Sequence, residues 1–445
     1  MRSATVVTGE PAERAFLVGL DTGARGMDVA ASVDELASLV AAAGGTVVGR
    51  TWQRRRAPDP HTYVGKGKAE EVVGEVQRLR ADLLVCDDEL TPMQQRGLEG
   101  LTKARVIDRS ALILDIFARH AQSKEGRVQV ELAQLEYQLP RLHGRWKEWS
   151  RLGGGIGTRG PGESKLETER QTIRRRLQDL RSRLEEIERQ REHGRRSRSR
   201  EGLFLAALVG YTNVGKSTLL NALADAGVLV ADQPFATLDP TTRRTVLPNG
   251  TVILVSDTVG FINKLPPALV AAFHATLEEL RDADLLVHVA DASHPRLPER
   301  MAVVDATLGQ LGLQDRPRLV VLNKADALRG EDGRAAREAL ESEMPTAVWT
   351  SASDGTGIGE LREALAREAT SGWRRVRVRL PHSAGALVQR VREHGALRRA
   401  DYTERGIEVE ADVPPAMAAE LERAAEAESR TSGAQTEEFG PRSST

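Results

Sequence analysis

Residues 210–217 (GYTNVGKS) have the spacing of a phosphate-binding loop, with glycines, a lysine and a hydroxyl at the required positions. An apolar run, residues 203–209, precedes them, and a helical pattern follows at residues 218–223. Glycines let backbone N–H groups surround phosphates, and the start of the next helix favours negative charge. Lys216 is predicted to reach the β and γ phosphates, and the Ser217 hydroxyl to ligate Mg²⁺. The predicted phosphate contacts are Gly210, Tyr211, Thr212, Asn213, Val214, Gly215, Lys216, Ser217 and Thr218.

Three further motifs follow in order, each directly after a predicted strand. A DxxG motif ends at Gly260, whose N–H is predicted to sense the γ-phosphate, so Lys216 and Gly260 are the candidate catalytic residues. The Asp326 carboxylate can accept hydrogen bonds from guanine N1–H and the N2 amine, a donor pair that adenine lacks, which predicts GTP over ATP. Strand ends are where open α/β sheets bind ligands. The further predicted contacts are Asp257, Thr258, Val259, Gly260, Asn323, Lys324, Ala325, Asp326, Ser351, Ala352 and Ser353.

The segment between the first two motifs, residues 235–242, is predicted to close over the γ-phosphate. It offers three threonines, one of which should be a second protein ligand of Mg²⁺, and spacing alone does not choose among them. Phe261 stands where many GTPases carry a water-positioning Gln, so we expect slow intrinsic hydrolysis. Either a K⁺ ion held with the help of Asn213 or a partner acting in trans would supply the missing stabilisation. Residues 235–239 add Phe235, Ala236, Thr237, Leu238 and Asp239 to the predicted site.

The chain that must position these residues has 445 residues and a formal net charge of -1. Residues 141–200 carry 18 basic and 9 acidic side chains, and residues 201–370 carry 15 and 23. The near-zero sum therefore hides a basic segment beside an acidic one, and such asymmetry indicates a polyanionic partner more strongly than the sum does.

Strand and helix patterns divide the chain into five predicted parts. Residues 1–125 read as a small α/β domain with a mostly parallel sheet. Residues 126–200 contain two apolar seams at helical spacing, which predicts an antiparallel helical hairpin with a kink at Pro140. Residues 201–371 form the doubly wound α/β domain that carries the motifs, called the G domain below. Residues 372–427 read as a small α+β domain, and residues 428–445 as a disordered tail.

A glycine-rich link, residues 153–162, joins the two predicted helices and has six glycines in ten residues. It is either a permissive turn or a tip whose bare backbone approaches a ligand.

Composition excludes several classes of protein. The single cysteine, Cys86, cannot form an intrachain disulfide and is predicted to be a small core side chain. The nine histidines are scattered along the chain, which argues against a zinc site. No apolar run reaches the length of a membrane span, and the N-terminus lacks a signal-peptide pattern, so we expect a cytoplasmic protein. No symmetric interface suggests itself in the sequence, and we expect a monomer.

The chain resembles the HflX family of ribosome-associated GTPases over nearly its whole length. The resemblance is carried by residues 59–68 (DPHTYVGKGK), 139–142 (LPRL), 151–163 (RLGGGIGTRGPGE) and 166–170 (LETER), together with GYTNVGKS, FATLDPTTR and DTVGFI. It implies a GTPase that binds the large (50S) ribosomal subunit and its rRNA, and splits or rescues stalled ribosomes or acts in subunit biogenesis. It also assigns Thr237 as the second Mg²⁺ ligand, beside Ser217, and favours the functional interpretation of the glycine-rich link.

The resemblance leaves an ATP site in the N-terminal domain open, where residues 65–68 could serve but match an ordinary basic loop better. The basic segment offers candidate rRNA contacts whose alternative is a solvated helix face. These candidates are Arg145, Lys147, Arg151, Arg159, Lys165, Arg174, Arg175, Arg176 and Arg181. Two alternative functions are a GTP-regulated RNA-modification scaffold and a protein-interaction switch.

Overall fold

Three β-sheets organise the residues that the computed structural model describes, which are 12–23, 28–144, 161–201, 203–224, 241–264 and 280–434. The fold class predicted from the sequence is confirmed in its α/β layers: a parallel N-terminal sheet, a helical region, a mostly parallel G-domain sheet and a small C-terminal antiparallel sheet. Among the helices described, none combines the length and the apolar content that crossing a bilayer requires.

The N-terminal sheet has the strand order β2-β1-β3-β4, with all pairs parallel. Its β1 and β3 strands are almost entirely buried, as expected for a parallel sheet covered by helices on both faces. A capping box at Thr91 and Gln94 begins the third helix, which the Thr-Pro pair in the sequence indicates. The elements are β1 (Arg14–Asp21), α1 (Val29–Ala42), β2 (Thr46–Arg54), α2 (Lys66–Leu79), β3 (Leu83–Cys86), α3 (Pro92–Thr102), β4 (Arg105–Asp108) and α4 (Arg109–His120).

Two helices follow, α5 (Lys124–Gln138) and α6 (Pro161–Glu201), and between them the chain forms a short 3-10 helix over Leu139–Gly144. The predicted kink at Pro140 is instead the end of α5, because proline cannot donate the next helical hydrogen bond. Residues 145–160, including most of the glycine-rich link, lie outside the described residues; residues 161 and 162 begin α6.

The antiparallel direction predicted for these helices is wrong where they touch. Arg176 bonds Glu131 at 2.7 and 2.9 Å, and Arg181 bonds Glu136 at 2.8 Å, so both pairs join residues 45 positions apart. A constant offset means that the helices run in the same direction, and the buried seam of Leu132 and Leu177 has that offset too.

The G-domain sheet has the order β10-β9-β8-β5-β7-β6, in which only β6 pairs antiparallel with its neighbour. Its parallel strands place the ends of β5, β7, β9 and β10 along one edge. The elements are β5 (Phe204–Val209), α7 (Lys216–Ala224), β6 (Thr241–Val246), β7 (Val252–Asp257), β8 (Leu285–Asp291), α8 (Leu297–Gln310), β9 (Arg318–Asn323), a 3-10 turn (Ala325–Ala327), α9 (Gly330–Glu343), β10 (Val348–Trp349) and α10 (Ile358–Thr370).

The C-terminal sheet has the order β11-β13-β12 and belongs to a unit of strand, helix, two strands and helix, which fits the small α+β domain that the sequence predicts. Its last helix continues to Ala434, past residue 428, where the sequence predicts a disordered tail; no proline interrupts residues 428–434 (ESRTSGA), although the Ser, Thr and Gly among them favour helix only weakly. Residues 435–445 lie outside the described residues. The elements are β11 (Arg374–Leu380), α11 (Gly385–His394), β12 (Ala396–Thr403), β13 (Gly406–Val413) and α12 (Pro415–Ala434).

Candidate nucleotide site

The loop between β5 and α7 has a backbone that glycine makes possible. Gly215 has φ +91°, and a Cβ there would come within 2.5 Å of the Asn323 amide nitrogen. A Cβ at Gly210 would come within 2.2 Å of the Val289 carbonyl oxygen. Both positions therefore need glycine, and the loop is held tightly against the ends of β8 and β9. The loop leads into the start of α7, the place where the sequence predicts that backbone N–H groups bind phosphates.

Lys216 is the first residue of α7, and its side chain is buried against this loop. Its ammonium donates hydrogen bonds to the carbonyl oxygens of Gly210 and Tyr211, at 3.2 and 3.0 Å. Burial lowers the pKa of Lys216 to about 8, although Asp257 acts in the opposite direction. A buried cation that costs stability and meets two loop carbonyls is suited to meet phosphate oxygens instead.

The residues expected to hold Mg²⁺ are brought together. The Ser217 hydroxyl donates to a carboxylate oxygen of Asp257 at 2.6 Å, and Asp257 is almost fully buried at the end of β7. A hydroxyl and a buried carboxylate are the hard oxygen donors that Mg²⁺ prefers, so these side chains fit the ion. Thr237, the expected second ligand, and the rest of the predicted contacts at 235–239 lie outside the described residues.

The segment after Asp257 lies directly on the phosphate-binding loop. The Phe261 N–H donates to the Gly210 carbonyl at 3.0 Å, and the Thr212 N–H donates to the Phe261 carbonyl at 2.8 Å. A Cβ at Gly260 would come within 3.0 Å of the Lys216 ammonium, so Gly260 faces the lysine at close range. The Phe261 ring is buried, which gives it a packing role at this position.

Asn323 joins the last two motifs to the loop. Its amide nitrogen donates to the Val214 carbonyl at 2.8 Å, and its amide oxygen accepts from the Thr350 hydroxyl at 3.2 Å and the Ala352 N–H at 3.0 Å. Asp326 lies in the following 3-10 turn, and the Ser351 hydroxyl contacts Ser353 at 3.0 Å. The base-side motifs are thus connected to the phosphate-side motif through one buried amide.

Several contacts near the site are not predicted from the sequence, although Tyr211 itself is among the predicted phosphate contacts. The Tyr211 hydroxyl donates to Glu35 of α1 at 2.6 Å, and the Lys264 ammonium contacts Asp87 and Asp88, which follow β3, at 2.5 and 2.6 Å. The acidic triplet at 87–89, directly after a buried strand, is the one sequence signal that points to this place. No sequence pattern indicates that it faces the G domain, about 177 positions away.

The candidate rRNA contacts divide into three groups. Arg145, Lys147, Arg151 and Arg159 lie outside the described residues, as does the side chain of Lys165 in α6. Arg176 and Arg181 form ion pairs with α5, so they also hold the two helices together. Arg174 and Arg175 are exposed, and Arg174 pairs with Glu167 at 3.6 Å.

The N-terminal domain shows no reactive thiol among its described residues. Cys86 is fully buried, and burial raises its pKa well above the usual value, which confirms a small core side chain. Residues 65–68, the stretch considered for ATP, begin α2: the Gly65 N–H donates to the Gln53 side chain at 2.8 Å, and Lys68 pairs with Glu71 at 2.7 Å. Within the described ranges, no cluster of three or more histidine, cysteine or acidic side chains could hold a metal.

Comparison with known proteins matches three consecutive family profiles. "GTP-binding GTPase N-terminal" matches residues 30–118, "GTP-binding GTPase Middle Region" matches 120–198, and "50S ribosome-binding GTPase" matches 205–324. The GTPase HflX of Lacrimispora saccharolytica is 45% identical over 412 residues, covering 92% of this chain and 95% of that protein. The GTPase HflX of Escherichia coli K12 is 44% identical over 367 residues, covering 82% and 86%.

Among solved structures, a GTP-binding protein from the archaeon Sulfolobus solfataricus in complex with GDP is 26% identical and covers 81% of this chain and 99% of that one, with a TM-score of 0.40. The phosphate-binding loop and the matched profiles define a P-loop GTPase, an enzyme that binds GTP and hydrolyses it to GDP and phosphate. Within that class, the chain belongs to the GTPase HflX family, as the resemblance in the sequence indicates.

Proposed function

We propose that this GTPase binds the large ribosomal subunit in its GTP state and releases it after hydrolysis, and that it splits or rescues stalled ribosomes or acts in subunit biogenesis. The observation that carries the proposal is the match of residues 205–324 to the 50S ribosome-binding GTPase profile. The charge distribution supports it, because a basic helical region adjoins an acidic G domain and rRNA is a polyanion. The monomeric state, the cytoplasmic location and the division of the chain at 125, 200, 371 and 427 belong to the same proposal.

Hydrolysis requires each site residue in a stated role. Lys216 would neutralise the β and γ phosphates, Gly260 would donate its N–H to the γ-phosphate, and Asp326 would select guanine. Ser217 and Thr237 would ligate Mg²⁺, with Asp257 acting through water; the ion offsets charge that develops on the phosphate oxygens. Positioning and electrostatics of this kind, rather than covalent chemistry, are what phosphoryl transfer asks of a protein.

The experiment that tests the ribosome proposal measures GTP hydrolysis with and without purified large subunits. We expect a slow intrinsic rate, because Phe261 cannot orient water by hydrogen bonding. Large subunits should raise the rate of hydrolysis about tenfold or more. No stimulation, together with no cosedimentation of the protein and subunits at low salt in the presence of a non-hydrolysable GTP analogue, would contradict the proposal.

A double variant, Arg174→Gln with Arg175→Gln, tests whether α6 contacts rRNA. For every phosphate that the variant no longer binds, the log–log slope of cosedimentation against salt should become shallower by about one unit. The matched control is Arg334→Gln with Arg337→Gln on α9, an exposed arginine and an ion-paired one in the acidic G domain. Equal slopes for both double variants would exclude Arg174 and Arg175 from the interface.

A second proposal concerns the cation beside the phosphates. Asn213 has φ 60°, and its side chain is exposed at the mouth of the loop, where its amide oxygen could help to ligate K⁺. If it does, turnover at matched ionic strength should be faster in K⁺ than in Na⁺, and Asn213→Ala should abolish that difference. Equal turnover of the unaltered protein in the two salts would exclude K⁺.

A further inference from the structure

One tyrosine side chain joins the phosphate-binding loop to two other parts of the molecule. The Tyr211 hydroxyl donates a hydrogen bond to Glu35 of α1 at 2.6 Å and accepts one from the Asn263 N–H at 2.9 Å. Burial and the negative charge of Glu35 raise the pKa of Tyr211, so the hydroxyl keeps the proton that it donates. Because a hydroxyl has a single proton, the bond to Glu35 leaves its lone pairs free to accept from Asn263.

The segment that follows Gly260 is held to the loop by three described hydrogen bonds, and a side chain makes only this one. The other two join backbone groups: the Phe261 N–H donates to the Gly210 carbonyl, and the Thr212 N–H donates to the Phe261 carbonyl. The third lies two residues further along, at Asn263. The segment is therefore attached to the loop at two places, and a side-chain substitution can remove the second while the first remains.

These attachments determine how Gly260 lies relative to Lys216. A Cβ built on Gly260 would come within 3.0 Å of the Lys216 ammonium, so the two residues are neighbours. The ammonium donates to the Tyr211 carbonyl at 3.0 Å, and the Tyr211 hydroxyl holds the segment that carries Gly260. One tyrosine thus contacts the lysine through its backbone and the segment after the glycine through its side chain. A γ-phosphate oxygen can meet both groups as long as they stay side by side.

Glu35 is held in place by its own domain. Its second carboxylate oxygen accepts from the Arg109 guanidinium at 2.8 Å, and Arg109 is almost fully buried. The same guanidinium bonds the Asp87 carboxylate and the Ser32 carbonyl. A hydroxyl that donates to a charged carboxylate makes a short, strong hydrogen bond, which fits the 2.6 Å between Tyr211 and Glu35. The N-terminal domain therefore supplies the group that orients the tyrosine hydroxyl.

We propose that Glu35 and Tyr211 are positioning residues for GTP hydrolysis. The carboxylate orients the tyrosine hydroxyl, and the hydroxyl keeps Gly260 beside Lys216. This role rests on the proposed contacts of those two residues with the γ-phosphate. Phosphoryl transfer depends on placement, and a shift of about 1 Å can cost about 100-fold in rate. Loss of one attachment among several should cost less, about tenfold, and should spare GDP, which has no γ-phosphate for Gly260 to contact.

The test measures single-turnover GTP hydrolysis by the full chain and by Tyr211→Phe, which removes only the hydroxyl, at a temperature where every variant is folded. The rate constant should fall about tenfold, while the Kd for GDP, titrated calorimetrically with Mg²⁺, should change by less than about twofold. Glu35→Leu should give the same fall, and the double variant should be no slower than either single variant, because both act at one hydrogen bond. The matched control is Asp34→Leu, which removes the neighbouring carboxylate of α1, paired with the exposed Arg50, and should change neither quantity.

Three outcomes overturn the inference, and a fourth separates it from the proposed function. An unchanged rate in Tyr211→Phe overturns it. A fall in the double variant equal to the product of the two single falls also overturns it, because Glu35 would then act by another route. So does a loss of GDP affinity as large as the fall in rate, with a lower melting temperature, which is what a purely structural hydroxyl would give. If Gly260→Ala hydrolyses GTP as fast as the unaltered protein, the proposed role of Gly260 fails instead.

Discussion

The N-terminal sheet and the G-domain sheet present polar groups at the same place, the carboxyl ends of parallel strands, and satisfy them in different ways. In the N-terminal sheet, Asp87 and Asp108 are fully buried, and the chain supplies their partners: Arg109 for the first, Arg141 at 3.2 Å and the Leu90 N–H at 2.9 Å for the second. In the G domain, the loop at the equivalent edge contains glycines, which have no side chains, and the Lys216 ammonium donates hydrogen bonds to backbone carbonyls of that loop.

The difference shows that buried charged groups at strand ends form a ligand site only where the chain itself does not supply all of their partners. A buried carboxylate that is paired with an arginine of the same chain has its charge and hydrogen bonds satisfied, and removing either partner destabilises the fold. A buried ammonium beside backbone N–H groups has its positive charge balanced only when phosphates bind. Removing the cation should therefore damage stability at one edge and function at the other.

The largest effect is expected from Arg109→Met. The guanidinium is almost fully buried between Asp87 and Glu35, so its loss leaves buried carboxylates without that cation. Breaking a buried ion pair by removing one partner costs about 3–5 kcal/mol, and we expect the free energy of unfolding in urea to fall by that amount.

The matched control is Arg50→Met, which removes an exposed arginine from its ion pair with Asp34. Exposed pairs contribute little, and the change should stay within about 0.5 kcal/mol. A loss for Arg109→Met as small as that for Arg50→Met would mean that the buried ion pairs of Arg109 do not stabilise the N-terminal domain, and would contradict the comparison between the two sheets.

The next largest effect is expected from Lys216→Met, measured as single-turnover GTP hydrolysis. Removing a preorganised charge from the transferring phosphate should slow the reaction by about 100- to 1,000-fold. In the absence of nucleotide, the free energy of unfolding should stay the same or rise, because burial of this ammonium is unfavourable, as its pKa of about 8 shows.

Lys124→Met, at an exposed lysine of α5, should change neither quantity and serves as the control for loss of one positive charge. The comparison between the two sheets is strengthened if Lys216→Met slows turnover as expected without lowering the free energy of unfolding. A variant that unfolds as readily as Arg109→Met would show that the G-domain edge is also held together by its own cation.

The sequence is sufficient where local pattern decides the structure. The apolar run of β3 predicts a strand with the observed bounds, Leu83–Cys86, and the spacing predicts the loop glycines, because sterics at Gly210 and Gly215 admit nothing larger. The relative direction of α5 and α6 is not predicted. A heptad seam fixes which face is buried and leaves direction to the cross-helix pairs, here Glu131 with Arg176.

The contact of Lys264 with Asp87 and Asp88 escapes prediction for a different reason. Each side chain is ordinary in its own segment: a lysine after DTVGFIN and an acidic triplet after a strand. Only the packing of the two domains places them together, and no periodicity or spacing carries information between positions so distant in the chain.

The smallest of these effects concerns acid stability and a group within the G-domain sheet. His288 on β8 is almost fully buried, and its Nδ1 has no hydrogen-bond partner among the described residues. Burial lowers its pKa to about 4; Asp305 acts in the opposite direction, while Arg318 and Lys216 add to the lowering.

The unfolded chain binds this proton near pH 6.5, and the folded protein binds it only near pH 4. The unfolded state therefore carries more protons between these values, so stability falls as the pH drops through that window and is retained above it. From pH 7 to pH 5, the unaltered protein should lose about 2 kcal/mol more than His288→Met, measured by urea unfolding at each pH. Groups common to both proteins cancel in this difference.

Asp87, whose pKa Arg109 and Lys264 hold below its usual value, stays charged throughout this window in the folded protein and should contribute nothing to the difference. Parallel plots of stability against pH for the two proteins would show that the G-domain sheet tolerates a charged His288. Acid sensitivity would then not distinguish the G-domain sheet from the N-terminal sheet.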